Sequence, residues 1–421
     1  MDSQNAKLRL PRGEHASRNG ACGGAARGYH AGVGMDQPRQ GADLVAIQSH
    51  VALGGVLLAF RIDHLLAADS AAVHLLPILN TINVMIPRDV SLRISNIGIV
   101  CASLVVVDHV YLILGNGQFY GDAFIGNRFV KIAVPSFFTV AGYLLSQHMI
   151  HSVNWWGKEI GKRFKTLLIP YILWNLMFFV FVRSINVISN LSATRTWNYG
   201  LDFSLECMFQ SLFIDPILYP SWFIRMLFVL VVLSPILLRM ANMVGIGCVL
   251  LLYWGIGVLS AQLGLPWLRI FQFGFSIEGV FYFILGIYLN RRIGLKILNF
   301  SVACESLVIG LGLMMLDVVL CGWNIVCFGK IFVLIGVWGM MAGVAFPSWL
   351  VKEAFPIYLL HPFVLSAMKV VLKNTNSLQV ALESVFGVVL CVGFCLLCSF
   401  LISKGIRFFL PCAAKILYGA R

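Results

Sequence analysis

The sequence predicts an all-α, polytopic membrane helix bundle with about ten transmembrane helices and both termini in the cytoplasm. Of 421 residues, 59% are hydrophobic and only 12% are charged, and the mean hydropathy is +0.86. Soluble domains are roughly 45–50% apolar and about 25% charged. Long apolar segments also recur along the chain, with lysine and arginine at alternate ends. We therefore expect the lipid bilayer to surround most of the protein.

Ten segments are apolar and long enough to cross about 30 Å of hydrocarbon as helices that rise 1.5 Å per residue. In chain order they are 95–114, 129–147, 166–186, 221–239, 245–264, 271–289, 297–316, 324–345, 354–372 and 383–403.

The distribution of cations predicts the orientation of these helices. If the first helix runs outward, fifteen lysines and arginines lie on the cytoplasmic side and seven on the outer side. Loops on the cytoplasmic side of a membrane are enriched in these residues. The pattern predicts a multi-pass protein of the inner (plasma) membrane with an outer loop at 187–220. Cations that alternate with apolar segments in this way disfavour nucleic acid as a partner.

The charged and apolar patterns predict three regions. Residues 1–87 are rich in Gly, Ala and Arg and interrupted by charge, which indicates a poorly structured extension without a signal peptide. Met85 opens a short basic lead into the first helix, so the native start is expected there, with a genuine cytoplasmic extension as the alternative. Residues 88–410 form the transmembrane domain, and residues 411–421 a cytoplasmic tail.

The eleven cysteines do not predict a metal site. Most lie inside apolar segments, where a thiol behaves as a small hydrophobic group. Cys395 and Cys398 have the CxxC spacing, but no second pair or histidine cluster completes a zinc set.

Ionisable residues inside the membrane segments are candidates for function, because burying them in lipid is costly. The seven are Asp108, His109, Arg225, Glu278, Glu305, Lys330 and His361. His109 lies roughly 20 Å along the first helix, in the outer part of the membrane, where a neutral imidazole suits a general base. His361 precedes Pro362, which frees a carbonyl one turn back and can mark a cavity. For each histidine, a structural role remains the alternative.

Two further groups flank the membrane. Residues 148–165 place Lys162, Arg163 and Lys165 at the cytoplasmic face, where they either bind the phosphates of a donor or fix the topology. On the outer side, Trp222 and Arg225 follow an aromatic loop and are expected to hold a sugar.

Six segments together resemble the integral-membrane acyltransferase family 3, which O-acylates polysaccharides and lipid-linked sugars. They occur in the family order and cover residues 90–410. The segments are ISNIGIVCASLVVVDHVY, VPSFFTVAGYLLS, KRFKTLLIPYILWN, WFIRMLFVLVVLSPIL, YFILGIYL and FPIYLLHPFVL.

The resemblance implies transfer of an acyl group, acetyl being expected, from cytoplasmic acyl-CoA to a hydroxyl of an exopolysaccharide or lipid-linked oligosaccharide. It supports His109 as the catalytic histidine, with His361 as the second candidate, and no bound cofactor is expected. Two positions depart from the family pattern: Gly98 stands where an arginine is common, and Ala141 where a serine is common. The role of that arginine would then fall to Arg163 or Arg225.

Two other functions remain as alternatives. A transporter or flippase of a glycolipid or small anion is the first, although such folds often contain internal repeats and none is evident here. A purely structural membrane protein is the second, and it would leave the buried His109, Arg225 and Glu278 without a purpose.

Overall fold

The computed structural model is almost entirely helical. It describes residues 87–114, 128–148, 155–190, 205–214, 216–263, 270–271, 275–293, 299–320, 324–374 and 384–419. The predicted N-terminal extension and the start site near Met85 lie outside these ranges, apart from Pro87.

We number fifteen α-helices and two short strands in the described ranges. They are α1 Arg88–Leu114, α2 Ala133–His148, α3 Trp155–Arg163, α4 Ile169–Asn190, α5 Leu205–Phe209, α6 Trp222–Val232, α7 Ser234–Met243, α8 Ile246–Gln262, β1 Ile270–Phe271, β2 Phe275–Ser276, α9 Ile277–Tyr288, α10 Phe300–Val319, α11 Val326–Met340, α12 Ser348–Val351, α13 Ala354–Asn374, α14 Val385–Phe409 and α15 Pro411–Leu417. The strands pair antiparallel.

Each of the ten predicted membrane segments overlaps a helix or a bent helix pair, and the segment 271–289 also includes strand residues of β1 and β2. Within the described residues, five helical stretches are long and apolar enough to cross a membrane, and one bent pair makes a possible sixth. The five are Arg88–Leu112, Trp155–Ile185, Phe300–Val319, Ala354–Leu372 and Phe386–Phe409. Several other segments form shorter helices, so the number of ten crossings and the position of the termini remain predictions.

Two predicted boundaries differ from the structure. The segment predicted as one helix over 221–239 is bent by 70° between α6 and α7. Pro235 lies in the first turn of α7, and a proline lacks the N–H that would continue the helix from α6. The second difference is that the basic segment before residue 166 is helical rather than a loop. Here α3 runs through a π turn, Phe164–Leu168, directly into α4.

Helices α2 and α9 cross closely at the centre of the bundle, and glycine makes the approach possible. A Cβ atom at Gly142 would lie 2.1 Å from the carbonyl oxygen of Phe283. A Cβ atom at Gly286 would lie 2.0 Å from the carbonyl oxygen of Thr139. Small residues at interfaces let helix backbones approach in membranes, where packing rather than hydrophobicity drives association.

A buried carboxylate joins the start of α13 to α14. Glu353 is 1% exposed and accepts a hydrogen bond of 2.5 Å from Ser403. Lys404 lies 3.2 Å and Arg407 3.5 Å from the same carboxylate. The two cations balance the charge of the carboxylate, as a buried ion requires.

The segment predicted as a cytoplasmic C-terminal tail, 411–421, packs against the helices over its described part. It forms α15, and Tyr418 beyond it is fully buried. The Trp174 indole donates to the carbonyl of Leu417 at 2.9 Å, which fastens this end to α4. Gly419 adopts φ +67°, a conformation that glycine accepts without strain.

Candidate functional site

The two histidines singled out in the sequence meet in the structure. His109 on α1 and His361 on α13 have ring centroids 5.1 Å apart, with the rings inclined at 66°. His361 is completely buried and His109 is half-buried. Helices distant in the sequence thus bring together the two titratable rings that the sequence identified separately.

Hydrogen bonds fix the tautomer of both rings. Nδ1 of His109 lies 2.8 Å from the carbonyl oxygen of Val105, and Nδ1 of His361 lies 3.3 Å from that of Ile357. A carbonyl only accepts, so each Nδ1 carries a proton, and in the neutral imidazole Nε2 keeps its lone pair. Both Nε2 atoms are buried and have no hydrogen-bond partner among the described residues. In its neutral form, each ring therefore offers one nitrogen that is able to accept a proton.

The irregularity that Pro362 was expected to introduce lies inside a continuous helix. Pro362 is within α13, and His361 uses its ring nitrogen to contact the carbonyl of Ile357, one turn earlier. Ser366 donates to the carbonyl of Pro362 at 2.6 Å. Side chains therefore support the backbone around the proline, in the way membrane helices tolerate this residue.

A cavity of about 390 Å³, which we call the central cavity, lies between α1, α2, α6, α9 and α13. Apolar side chains form most of its wall. Arg163 is the charged residue among the described residues that line it, and Tyr358 lines it as well. The Tyr358 ring is 6.0 Å from the ring of His361, so this tyrosine contacts both the cavity and the histidine pair.

Both positions that depart from the family pattern line the central cavity. Gly98 and Ala141 contribute to its wall from α1 and α2. A Cβ atom at Gly98 would meet only the Cβ of Ala354, at 3.9 Å. The absence of a side chain at Gly98 therefore leaves room at this level of the cavity.

The three cations predicted to bind the donor occupy different environments. Lys162 and Lys165 are exposed. Arg163 is partly buried and forms an ion pair of 2.6 Å with Glu159, itself one turn earlier on α3 and buried. The structure therefore places only Arg163 of this group at the central cavity.

Arg225, predicted to hold the acceptor, contacts backbone carbonyls. Its guanidinium donates to the carbonyls of Phe213 and Ile214, the latter at 3.1 Å. The Trp222 ring is half-buried and lies 6.3 Å from that of Phe138. Arg225 thus holds the segment that precedes α6 in place, a role that the sequence did not suggest.

Sequence reasoning also missed Tyr219, which lies next to the histidine pair. Its ring centroid is 6.1 Å from that of His109. In the sequence, Tyr219 was one aromatic residue among many in the predicted outer loop. No signal in the sequence distinguishes it, because its proximity to His109 arises only when α1 and the turn before α6 pack together.

Two further ion pairs lie in or next to the predicted membrane segments, the second between residues that flank them. Lys330 binds Glu278 at 2.5 Å, and Arg128 binds Asp317 at 2.9 Å. Each cation has a carboxylate partner, so these residues balance one another as ion pairs within the bundle. Within the described residues, no group of three His, Cys, Asp or Glu side chains could hold a metal ion.

Comparison with known proteins gives one family and one curated relative. The family model described as "Acyltransferase domain" (family 3) matches residues 96–404. Succinoglycan biosynthesis protein ExoH of Rhizobium meliloti (strain 1021) is 28% identical over 166 residues, which is 35% of this chain and 42% of that protein. The match thus covers less than half the length of the relative. No solved structure matches the chain significantly.

Proposed function

Because the chain belongs to the acyltransferase family 3, we propose that it O-acylates an exopolysaccharide or lipid-linked glycan with an acyl group, expected to be acetyl, from cytoplasmic acyl-CoA. The printed name of the relative, a succinoglycan biosynthesis protein, supports a polysaccharide as the acceptor. One structural observation carries the proposal. The two histidines that the sequence singled out meet, and His361 lies 6.0 Å from the ring of Tyr358, which lines the central cavity; their Nε2 atoms have no hydrogen-bond partner among the described residues.

In the proposed reaction, His109 is the general base. The acceptor hydroxyl oxygen adds to the thioester carbonyl carbon while its proton passes to Nε2 of His109. The resulting intermediate collapses, and the carbon–sulfur bond breaks. The sulfur of CoA takes the proton from His109, so the products are the ester, free CoA thiol and neutral histidine. His361 lies against His109 and is proposed as the second residue of this proton-transfer step.

We propose that the acyl-CoA arm occupies the central cavity. Arg163 lines the cavity, and its guanidinium is suited to charge-assisted hydrogen bonds with phosphate. Lys162 and Lys165 are close to Arg163 in the sequence, and both are exposed, so they would add positive charge at the same face. The apolar wall suits the thioester arm, which reaches past Tyr358 toward the histidines.

The proposed topology has ten crossings, both termini in the cytoplasm, and the inner membrane as the location. The cation asymmetry and the coincidence of every predicted segment with helical structure support it. On this topology, Arg163 faces the cytoplasmic donor, and the turn before α6 faces the acceptor. Trp222 and Arg225 are proposed to serve the acceptor side, Arg225 through the backbone segment that it holds.

Inverted membrane vesicles that contain the full chain test this function. They are given radiolabelled acetyl-CoA and unacylated polysaccharide or lipid-linked glycan, and labelled glycan is measured. Incorporation that requires the chain is the expected result. Movement of the glycolipid across the vesicle membrane without incorporation would instead establish the transporter alternative. In cells, deletion of the chain should remove the mass increment of one acyl group from the polysaccharide.

A further inference from the structure

Tyr219 is the exposed member of the ring cluster around the histidine pair. Its ring lies against His109, with centroids 6.1 Å apart and an interplanar angle of 62°, yet the residue is 61% exposed. His361, whose ring also lies against that of His109, is completely buried. The cluster therefore runs from a buried histidine, through a half-buried one, to an exposed aromatic ring.

Buried side chains hold the backbone on both sides of Tyr219. The hydroxyl of Tyr358 donates to the carbonyl of Pro220. Asn175, which is completely buried, accepts a hydrogen bond of 3.2 Å from the backbone N–H of Leu218. The position of Tyr219 is thus fixed through its neighbours in the chain.

A fixed, exposed aromatic ring beside a general base is suited to bind a sugar ring. The face of an aromatic ring carries negative charge density, and the C–H groups on one face of a pyranose are weakly positive. Stacking the two faces would orient the hydroxyls at the sugar edge toward the neighbouring imidazole. Such a hydroxyl would be directed toward Nε2 of His109, which is buried and has no hydrogen-bond partner among the described residues.

We propose that Tyr219 is the platform on which a pyranose of the acceptor glycan stacks. The proposal rests on the acyltransferase function given above and assigns the sugar-binding surface of that site. Tyrosine is also enriched where helices meet the lipid headgroups. A role for Tyr219 as a lipid anchor is therefore the competing outcome of the test.

The test uses vesicles with the full chain, acetyl-CoA, and unacylated polysaccharide purified from cells that lack the chain. Tyr219→Leu keeps an apolar contact with lipid but removes the ring face, and Tyr219→Phe keeps the face. Tyr219→Leu should raise the KM for polysaccharide about tenfold, a loss equivalent to one aromatic contact. The KM for acetyl-CoA should stay unchanged, and Tyr219→Phe should resemble wild type.

Phe408→Leu is the matched control. Phe408 is an exposed aromatic residue at the end of α14, and its ring lies against Phe409, 5.0 Å away. Its replacement should leave the KM for polysaccharide unchanged. Equal KM values for wild type and Tyr219→Leu would overturn the platform, and so would a loss of inserted Tyr219→Leu protein without a change in KM.

Direct binding of the same polysaccharide to detergent-solubilised protein, without acyl-CoA, separates this proposal from the function on which it rests. Weaker binding by Tyr219→Leu, together with no acyl transfer by wild type, would keep the sugar site and refute the acyltransferase. Acyl transfer by wild type with equal polysaccharide binding by both proteins would refute the platform alone.

Discussion

Replacement of His109 by glutamine is expected to abolish acyl transfer and to leave the chain folded. Glutamine can donate a hydrogen bond to a carbonyl as the imidazole does, but it cannot accept and return a proton at neutral pH. In the structure, the ring makes one such bond, from Nδ1 to the carbonyl of Val105 at 2.8 Å. Nε2 of His109 has no hydrogen-bond partner among the described residues, so replacing this nitrogen removes no hydrogen bond to them.

The two effects differ enough in size to be told apart. Losing a hydrogen bond such as that from His109 to the Val105 carbonyl lowers the free energy of unfolding by about 1 kcal/mol. Losing a general base lowers the rate typically 10²–10⁴-fold, or about 3–5 kcal/mol in the barrier. Ser103→Ala is the matched control, because Ser103 also donates to a carbonyl of its own helix, that of Ile99 at 3.0 Å. It should retain near-normal turnover.

The assay measures initial rates of radiolabel transfer from acetyl-CoA to polysaccharide in membrane vesicles, normalised to the amount of inserted chain. His361→Gln is measured alongside and should lose less activity than His109→Gln. Near-normal turnover by His109→Gln would refute its role as the base. A larger loss in His361→Gln than in His109→Gln would exchange the roles of the two residues.

Three further predictions concern the donor, the packing and the topology. Arg163→Ala should raise the KM for acyl-CoA about tenfold, because one charge-assisted hydrogen bond is lost, and Arg163→Lys should recover part of the effect. Unchanged donor kinetics in both variants would leave Arg163 as a topological anchor. Gly286→Ala should destabilise the protein by about 3 kcal/mol, because the new Cβ lies 2.0 Å from a backbone oxygen of α2. Thermal unfolding in detergent measures this loss, with Gly393→Ala as the control, because no atom lies within 4 Å of a Cβ at that position. Asp202→Cys should react with a membrane-impermeant maleimide in intact cells, and labelling only after permeabilisation would reverse the topology.

The helical fold could be predicted from the sequence because hydropathy is a local property. A segment such as 383–403 is largely apolar after Glu383, and it overlaps α14. The bend between α6 and α7 was missed, although Pro235 is visible in the sequence. A proline allows a bend without setting its angle, which depends on what packs against each half of the helix. The helical start at Trp155 was missed because its cations suggested a loop.

The candidate site was predictable only one residue at a time. His109 and His361 were identified because ionisable side chains are rare in membrane segments. Their contact was not predicted, since 252 positions separate them in the chain. The hydrogen bonds from the Arg225 guanidinium to the carbonyls of Phe213 and Ile214 were not predicted either. Such bonds depend on where a preceding segment folds back, which hydropathy does not specify.

The sequence by itself determined that this chain is a helical membrane protein and which of its buried groups are chemically unusual. Both follow from composition, since each residue carries its own cost of transfer into lipid. Only the tertiary structure decided that His109 meets His361, that Tyr219 lies beside them, and that Gly98 opens the central cavity. These juxtapositions depend on how helix surfaces fit together, because lipid and apolar side chains are alike in polarity, and packing and hydrogen bonds between helices select the neighbours.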